Sequence, residues 1–119
     1  MIMIEPSMRF PRIKALCCFI LLCVLHSHPA FPQDSKENAD FKLAINLYND
    51  GLYDLAAEQL RQFINGYPNT QQGIDARYYL GLTQLKLKKF DDARLTFQTF
   101  ALTYQENPKA PEAWWNVGE

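Results

Sequence analysis

The stretch Tyr53-Asp-Leu-Ala-Ala-Glu-Gln-Leu-Arg-Gln-Phe-Ile-Asn-Gly-Tyr-Pro68 decides the fold, because it occurs twice. It returns as Phe90-Asp-Asp-Ala-Arg-Leu-Thr-Phe-Gln-Thr-Phe-Ala-Leu-Thr-Tyr104. Asp54 and Asp91 align at an offset of 37 residues, which also pairs Ala56 with Ala93, Leu60 with Phe97, Phe63 with Phe100 and Tyr67 with Tyr104. Extended outward, the register pairs Leu43 with Leu80, Ala76 with Ala113 and Gly81 with Gly118. A gapless period of this size marks units that bury their apolar faces by stacking.

Helical spacing runs through both copies. Phe41, Ala44, Ile45 and Tyr48 fall at i, i+3, i+4 and i+7, with Leu43 and Leu47 as a second stripe, so this helix is expected to be sandwiched. Asp50-Gly51 ends it, glycine being suited to the left-handed closing residue. The next helix spans Asp54 to Gly66 and stops before Pro68, which has no amide donor and biases Tyr67 away from helix. Asn69-Thr70 supplies a turn and an N-cap. Tyr78, Leu82 and Leu85 mark a third helix, closed by Lys86, Lys88 and Lys89. Phe90, Ala93, Phe97, Phe100, Ala101 and Tyr104 mark a fourth, and Pro111 opens a fifth. An interior glycine costs about 1 kcal/mol against alanine, so Gly81 implies a close approach between helices.

The front of the chain reads differently. Arg9, Arg12 and Lys14 precede the uncharged run Ala15–Leu25. That run is about half the ~20 residues a spanning helix requires, and it matches the basic and apolar regions of a secretory signal. Cleavage is expected near Ala30 or after Gln33. Lipidation at Cys17 or Cys23 is an alternative, but the residues before each are large for such a site, and an uncleaved anchor is another. The expected organisation is a signal with its flank over 1–33, a flexible polar lead-in over 34–38, repeat 1 over 39–75, repeat 2 over 76–112 and the start of a truncated third repeat over 113–119.

The helix-turn-helix units with small residues at their contacts resemble the tetratricopeptide repeat family over Ala39 to Glu119. The residues that carry the resemblance are Leu80-Gly81, Phe90, Ala93, Phe97 and Phe100, preceded by Ala44, Gly51, Tyr53, Ala56 and Leu60; Trp114 and Val117-Gly118 open a third copy. The 37-residue spacing and the Phe-x-x-x-Tyr endings (Phe63 to Tyr67, Phe100 to Tyr104) look like the bacterial envelope subset. That subset includes the Tol–Pal-associated cell division coordinator and the outer-membrane assembly lipoprotein. Copy two departs from the pattern, with Lys88 where Gly51 stands and Gln105 where Pro68 stands. The resemblance implies an all-α fold of tetratricopeptide-like repeats stacked as a short right-handed solenoid.

Composition argues against catalysis. From Phe41 onward there is no Cys, His, Met or Ser, so the repeats hold no Ser-His or Cys-His pair and no nitrogen or sulfur metal ligand. Asp91-Asp92 and Asp54 with Glu58 sit at helix starts, where the helix dipole accounts for them. A net charge of −1, with its charges scattered, gives no basis for nucleic-acid binding. No enzyme activity, cofactor or metal is expected.

Binding is what the resemblance implies. In the family, fixed positions of each first helix line a concave groove. Carried over, these are Asn38, Phe41, Ile45, Tyr48 and Asn49 in copy one, Asp75, Tyr78, Leu82, Leu85 and Lys86 in copy two, and Glu112 and Trp115 in copy three. The groove is then apolar and aromatic, fits an envelope-associated peptide or partner helix, and has Tyr78 and Trp115 as anchors. The bland alternative is that Phe41, Ile45 and Tyr48 are simply covered by neighbouring segments. The expected role is an exported protein–protein interaction scaffold of the bacterial cell envelope, periplasmic or outer-membrane associated, with self-association left open. The alternative is a non-catalytic repeat segment of a larger exported enzyme or transporter-associated protein.

Overall fold

Five helices carry the described part of the computed structural model, residues 33–118: α1 (Gln33–Asn49), α2 (Tyr53–Gly66), α3 (Gln71–Lys86), α4 (Phe90–Thr103) and α5 (Ala110–Val117). No strand occurs among these residues. Each helix packs on the next, and α1 also touches α3. The segment expected as an export signal lies outside the described residues apart from Gln33, as does Glu119.

The turns inside the two pairs are the same structure built from different residues. Gly51 takes φ 76° after α1, and Lys88, its counterpart 37 residues on, takes φ 57° after α3. Gly51 N–H donates to Tyr48 O at 3.1 Å and Leu52 N–H to Leu47 O at 2.9 Å; Lys88 N–H donates to Leu85 O and Lys89 N–H to Gln84 O, both at 2.9 Å. This double closure is a Schellman motif, which satisfies carbonyls left open at a helix end. Lys88 thus adopts the left-handed conformation without a glycine, at a cost of about 1 kcal/mol.

The helix ends also repeat. Tyr67 and Tyr104 each donate a backbone N–H at 2.8 Å to the carbonyl of the phenylalanine four residues earlier, Phe63 or Phe100. Each tyrosine ring also lies on that phenylalanine, at 4.8 and 5.4 Å between centroids. Thr70 caps α3 by accepting from Gly73 N–H at 3.0 Å, as the Asn69-Thr70 turn implied. Pro111 falls in the first turn of α5, where its missing donor costs nothing.

Two differences from expectation concern α1. The lead-in 34–38 is helical, and α1 begins at Gln33. Lys36 pairs with Asp40 one turn on, and Asn38 Oδ1 accepts from Gln72 Nε2 at 2.7 Å, so these polar residues are held by contacts that composition does not reveal. The expected sandwich is also incomplete, because in the second stripe Leu47 is half-buried but Leu43 is 48% exposed.

Two core clusters follow the repeats. Ala44, Leu60, Phe63 and Ala76 form the first, and Tyr78, Ala93, Phe97, Phe100, Ala101 and Ala113 the second. At the centre of each, a small residue of the first helix is matched to a large one of the second. Repeat 1 uses Ala44 with Leu60, and repeat 2 uses Gly81 with Phe97. A β-carbon on Gly81 would sit 2.7 Å from the Phe97 ring, too near for any side chain, so the larger ring demands the smaller partner.

Gly81→Ala is expected to lower unfolding free energy by about 1–3 kcal/mol through overpacking. Adding Phe97→Leu, which recreates the repeat 1 pair, should recover part of that loss in urea denaturation. Simple additivity of the two losses would refute the size matching. Lys88→Gly should raise stability by up to about 1 kcal/mol by removing the left-handed strain, read as a higher urea midpoint at unchanged slope.

Candidate functional site

The first helices of the pairs, α1 and α3, lie side by side and meet through aromatic side chains. Tyr79 is the hub, with its ring 6.5 Å from Phe41, 5.7 Å from Tyr48 and 6.4 Å from Tyr78. Nothing in the sequence pattern marks Tyr79. Its counterparts at the repeat spacing are Lys42 and Asn116, so no periodic signal singles it out.

The expected groove residues divide into three groups. Asn49, Lys86 and Trp115 are exposed, Trp115 to 70%. Phe41, Ile45, Tyr48, Leu82 and Leu85 are half-buried. Of these, Phe41 leans on Phe63 at 5.4 Å, Tyr48 packs on Tyr53 at 5.7 Å, and Leu82 and Leu85 rest on the second core cluster. Tyr78, expected as an anchor for a partner, is instead a core residue at 4% exposure. Its ring sits 5.5 Å from Phe97 and 5.6 Å from Phe100, and the Lys109 ammonium lies 5.8 Å from its centroid. The helical period places position 78 correctly on α3, but only the approach of α4 decides that the side chain is covered.

Asn38 and Asp75, also carried over as ligand contacts, hold neighbouring repeats together. Asn38 accepts from Gln72 at 2.7 Å, and Asp75 accepts from Lys109 Nζ at 2.7 Å in a partly buried ion pair. Both halves of the two contacts are 37 residues apart, so a neutral hydrogen bond at one junction becomes a charged one at the next. A partly buried charge-assisted bond is the stronger of the two.

Burial raises the Tyr48 phenol above its ordinary value, with Tyr53 and Tyr79 adding to the effect. Burial raises Tyr78 further, and the neighbouring Glu112 carboxylate pushes the same way. Both shifts favour the neutral phenol, as burial against apolar neighbours requires. Among the described residues no cluster of three or more His, Cys, Asp or Glu is placed to hold a metal ion, and no helix is long and apolar enough to cross a membrane. A cleft of about 460 Å³ opens between α2, α3 and α4, walled by Ile64, Leu80, Leu95 and Phe100 with Thr96 and Thr99 on one side.

Helix pairs stacked each on the next, with equivalent cores 37 residues apart, define an all-α helical-repeat fold. The tetratricopeptide repeat family matches this chain at residues 38–70 and 75–107, more than half of its length, and the chain belongs to that family. The two matched copies start 37 residues apart, the same spacing as the sequence register. Repeats of this family generally mediate protein–protein interaction. Over whole sequences, no curated protein matches the chain.

Tyr78→Ala should cost about 3 kcal/mol in stability by emptying the space between Phe97 and Phe100, whereas Tyr78→Phe should cost less than about 1 kcal/mol, since the hydroxyl makes no hydrogen bond of good geometry. The raised phenol makes the neutral form the one that favours folding. Its contribution is complete below the ordinary value of 10.0 and falls as pH rises above it. Urea midpoints measured across alkaline pH should decline less steeply for Tyr78→Phe than for the parent chain.

Proposed function

We propose that this chain is an exported protein–protein interaction scaffold of the bacterial cell envelope, binding a peptide or partner helix on the face shared by α1, α3 and α5. The observation that carries the reading is the membership of a family of binding repeats together with side chains that remain accessible on the first helices. Ile45, Tyr48, Leu82 and Leu85 offer half-buried apolar surface, and Asn49 and Lys86 stand exposed beside them. Apolar surface with a polar border suits an amphipathic segment, whose apolar side chains supply affinity and whose polar ones fix the register.

Export rests on Arg9, Arg12 and Lys14 followed by Ala15–Leu25, a basic segment before an apolar run of signal length. The paired endings Phe63–Tyr67 and Phe100–Tyr104 support the likeness to envelope members such as the Tol–Pal-associated coordinator and the outer-membrane assembly lipoprotein. In the fold those tyrosines close each second helix, so the likeness concerns how the repeats are built rather than what they bind.

Fractionation of cells making the full chain should recover it from the envelope, with a mature N-terminus within residues 31–34 by sequencing. Recovery in the cytosol with the front segment attached would remove the export reading. Affinity capture from envelope extracts should yield a partner that the double variant Asn49→Glu, Lys86→Glu no longer retains. Both residues are exposed, so the unfolding free energy should fall by no more than about 2 kcal/mol, the cost of acidic side chains at two helix C-termini, and the variant should stay folded.

A further inference from the structure

Each repeat has a cleft at the same place in the 37-residue register, but the two differ in chemistry. In repeat 1 a cleft of about 410 Å³ is lined by Phe63 and Tyr67 with Asp40, Gln59 and Gln62. At the repeat spacing their counterparts, Phe100 and Tyr104 with Arg77, Thr96 and Thr99, line the cleft of about 460 Å³ between α2, α3 and α4. The aromatic pair is kept, the amides become threonines, and the carboxylate becomes a guanidinium. The rest of the second cleft is aliphatic, with Ile64 from α2, Leu80 from α3 and Leu95 from α4. Leu95 is 65% exposed and stands where repeat 1 has Glu58.

The two charged groups are also differently engaged. Asp40 pairs with Lys36 and accepts from the Tyr67 hydroxyl at 3.5 Å, so repeat 1 satisfies its own charge. Arg77 Nη1 donates to the carbonyls of Pro68 and Gly73, each at 3.1 Å, and the guanidinium lies 6.0 Å from the centroid of the Tyr104 ring. These contacts hold the side chain beside the cleft without neutralising it. Among the described residues no carboxylate pairs with Arg77, and its Nη2 and Nε make no hydrogen bond. A held guanidinium with unused donors next to aliphatic walls matches a carboxylate joined to a hydrocarbon chain. We infer that this cleft binds a small anionic amphiphile of that kind, its carboxylate on Arg77 and its chain against Ile64, Leu80 and Leu95. The volume falls within the roughly 300–1,000 Å³ of small-ligand sites, whereas a protein partner needs about 800 Å² on each side. The chain's own apolar run, Ala15–Leu25, follows Arg9, Arg12 and Lys14 and would bring like charge to Arg77.

The probe is decanoate, titrated into the full chain while the methyl resonances of Ile64, Leu80 and Leu95 are followed by NMR. Saturable shifts at these methyls are expected, with a Kd below about 1 mM. Decanol should bind at least about tenfold more weakly, the worth of one hydrogen bond to a charged group. Arg77→Gln should weaken decanoate to the level of decanol. Leu95→Glu, which places the repeat 1 residue at an exposed position, should abolish decanoate binding with the helical circular dichroism unchanged. That second variant keeps the test valid where loss of the two Arg77 hydrogen bonds unfolds the first. Equal affinity for decanol, or parental decanoate affinity in folded Arg77→Gln or in Leu95→Glu, overturns the inference. So does the absence of saturation up to about 1 mM decanoate. Shifts confined to Ala15–Leu25 overturn it too, by placing the amphiphile on that run. A chain that sediments as a dimer with the cleft methyls unmoved by decanoate assigns the cleft to a second copy, and likewise refutes the small ligand.

Discussion

The contact between Phe97 and Gly81 is the constraint on which the second repeat depends. A phenylalanine ring fully buried between two helices contributes about 2–3 kcal/mol by leaving water, but only if the facing backbone can come close enough to touch it. Glycine allows that approach and accepts a helix-propensity cost of about 1 kcal/mol in return. Once α3 and α4 are this close, Tyr78 is covered, Phe100 rests on it, and Tyr104 closes the far end of α4. In the first repeat the same site holds Ala44 and Leu60, a less extreme division of the same space.

The junctions between repeats use a different kind of force. Gln72 with Asn38, and Lys109 with Asp75, are directional polar contacts at equivalent places. The second is partly buried and charge-assisted, and so the stronger of the two. Asn38 and Asp75 are thereby engaged between helices, while Asn49 and Lys86 on the same first helices stay exposed and Ile45, Tyr48, Leu82 and Leu85 half-buried.

The helices were legible because their apolar residues keep a 3.6-residue period and because the two copies corroborate each other. The N-cap at Thr70 and the stop before Pro68 were legible for a local reason, since each depends on one residue's own backbone chemistry. The site was less so. Of the carried-over positions, Asn49, Lys86 and Trp115 are exposed, Tyr78 is buried, and Asn38 and Asp75 are engaged with the next repeat. Tyr79, the aromatic hub between α1 and α3, has no periodic partner in the sequence. Lys88 shows a different limit, for its residue type argues against a left-handed turn that two backbone hydrogen bonds nonetheless hold in place.

By itself, the sequence determined the repeat length, the helix boundaries apart from the start of α1, and which positions in the two copies correspond. These are properties of periodicity and of single residues, and they survive without any knowledge of what packs where. The tertiary structure alone decided which aromatic rings are covered and which remain free. The sequence marks Phe41, Tyr78 and Trp115 as equivalents, yet one is half-buried, one buried and one open, because burial depends on whether another helix lies against the ring. It is a property of neighbours, and no residue carries it alone.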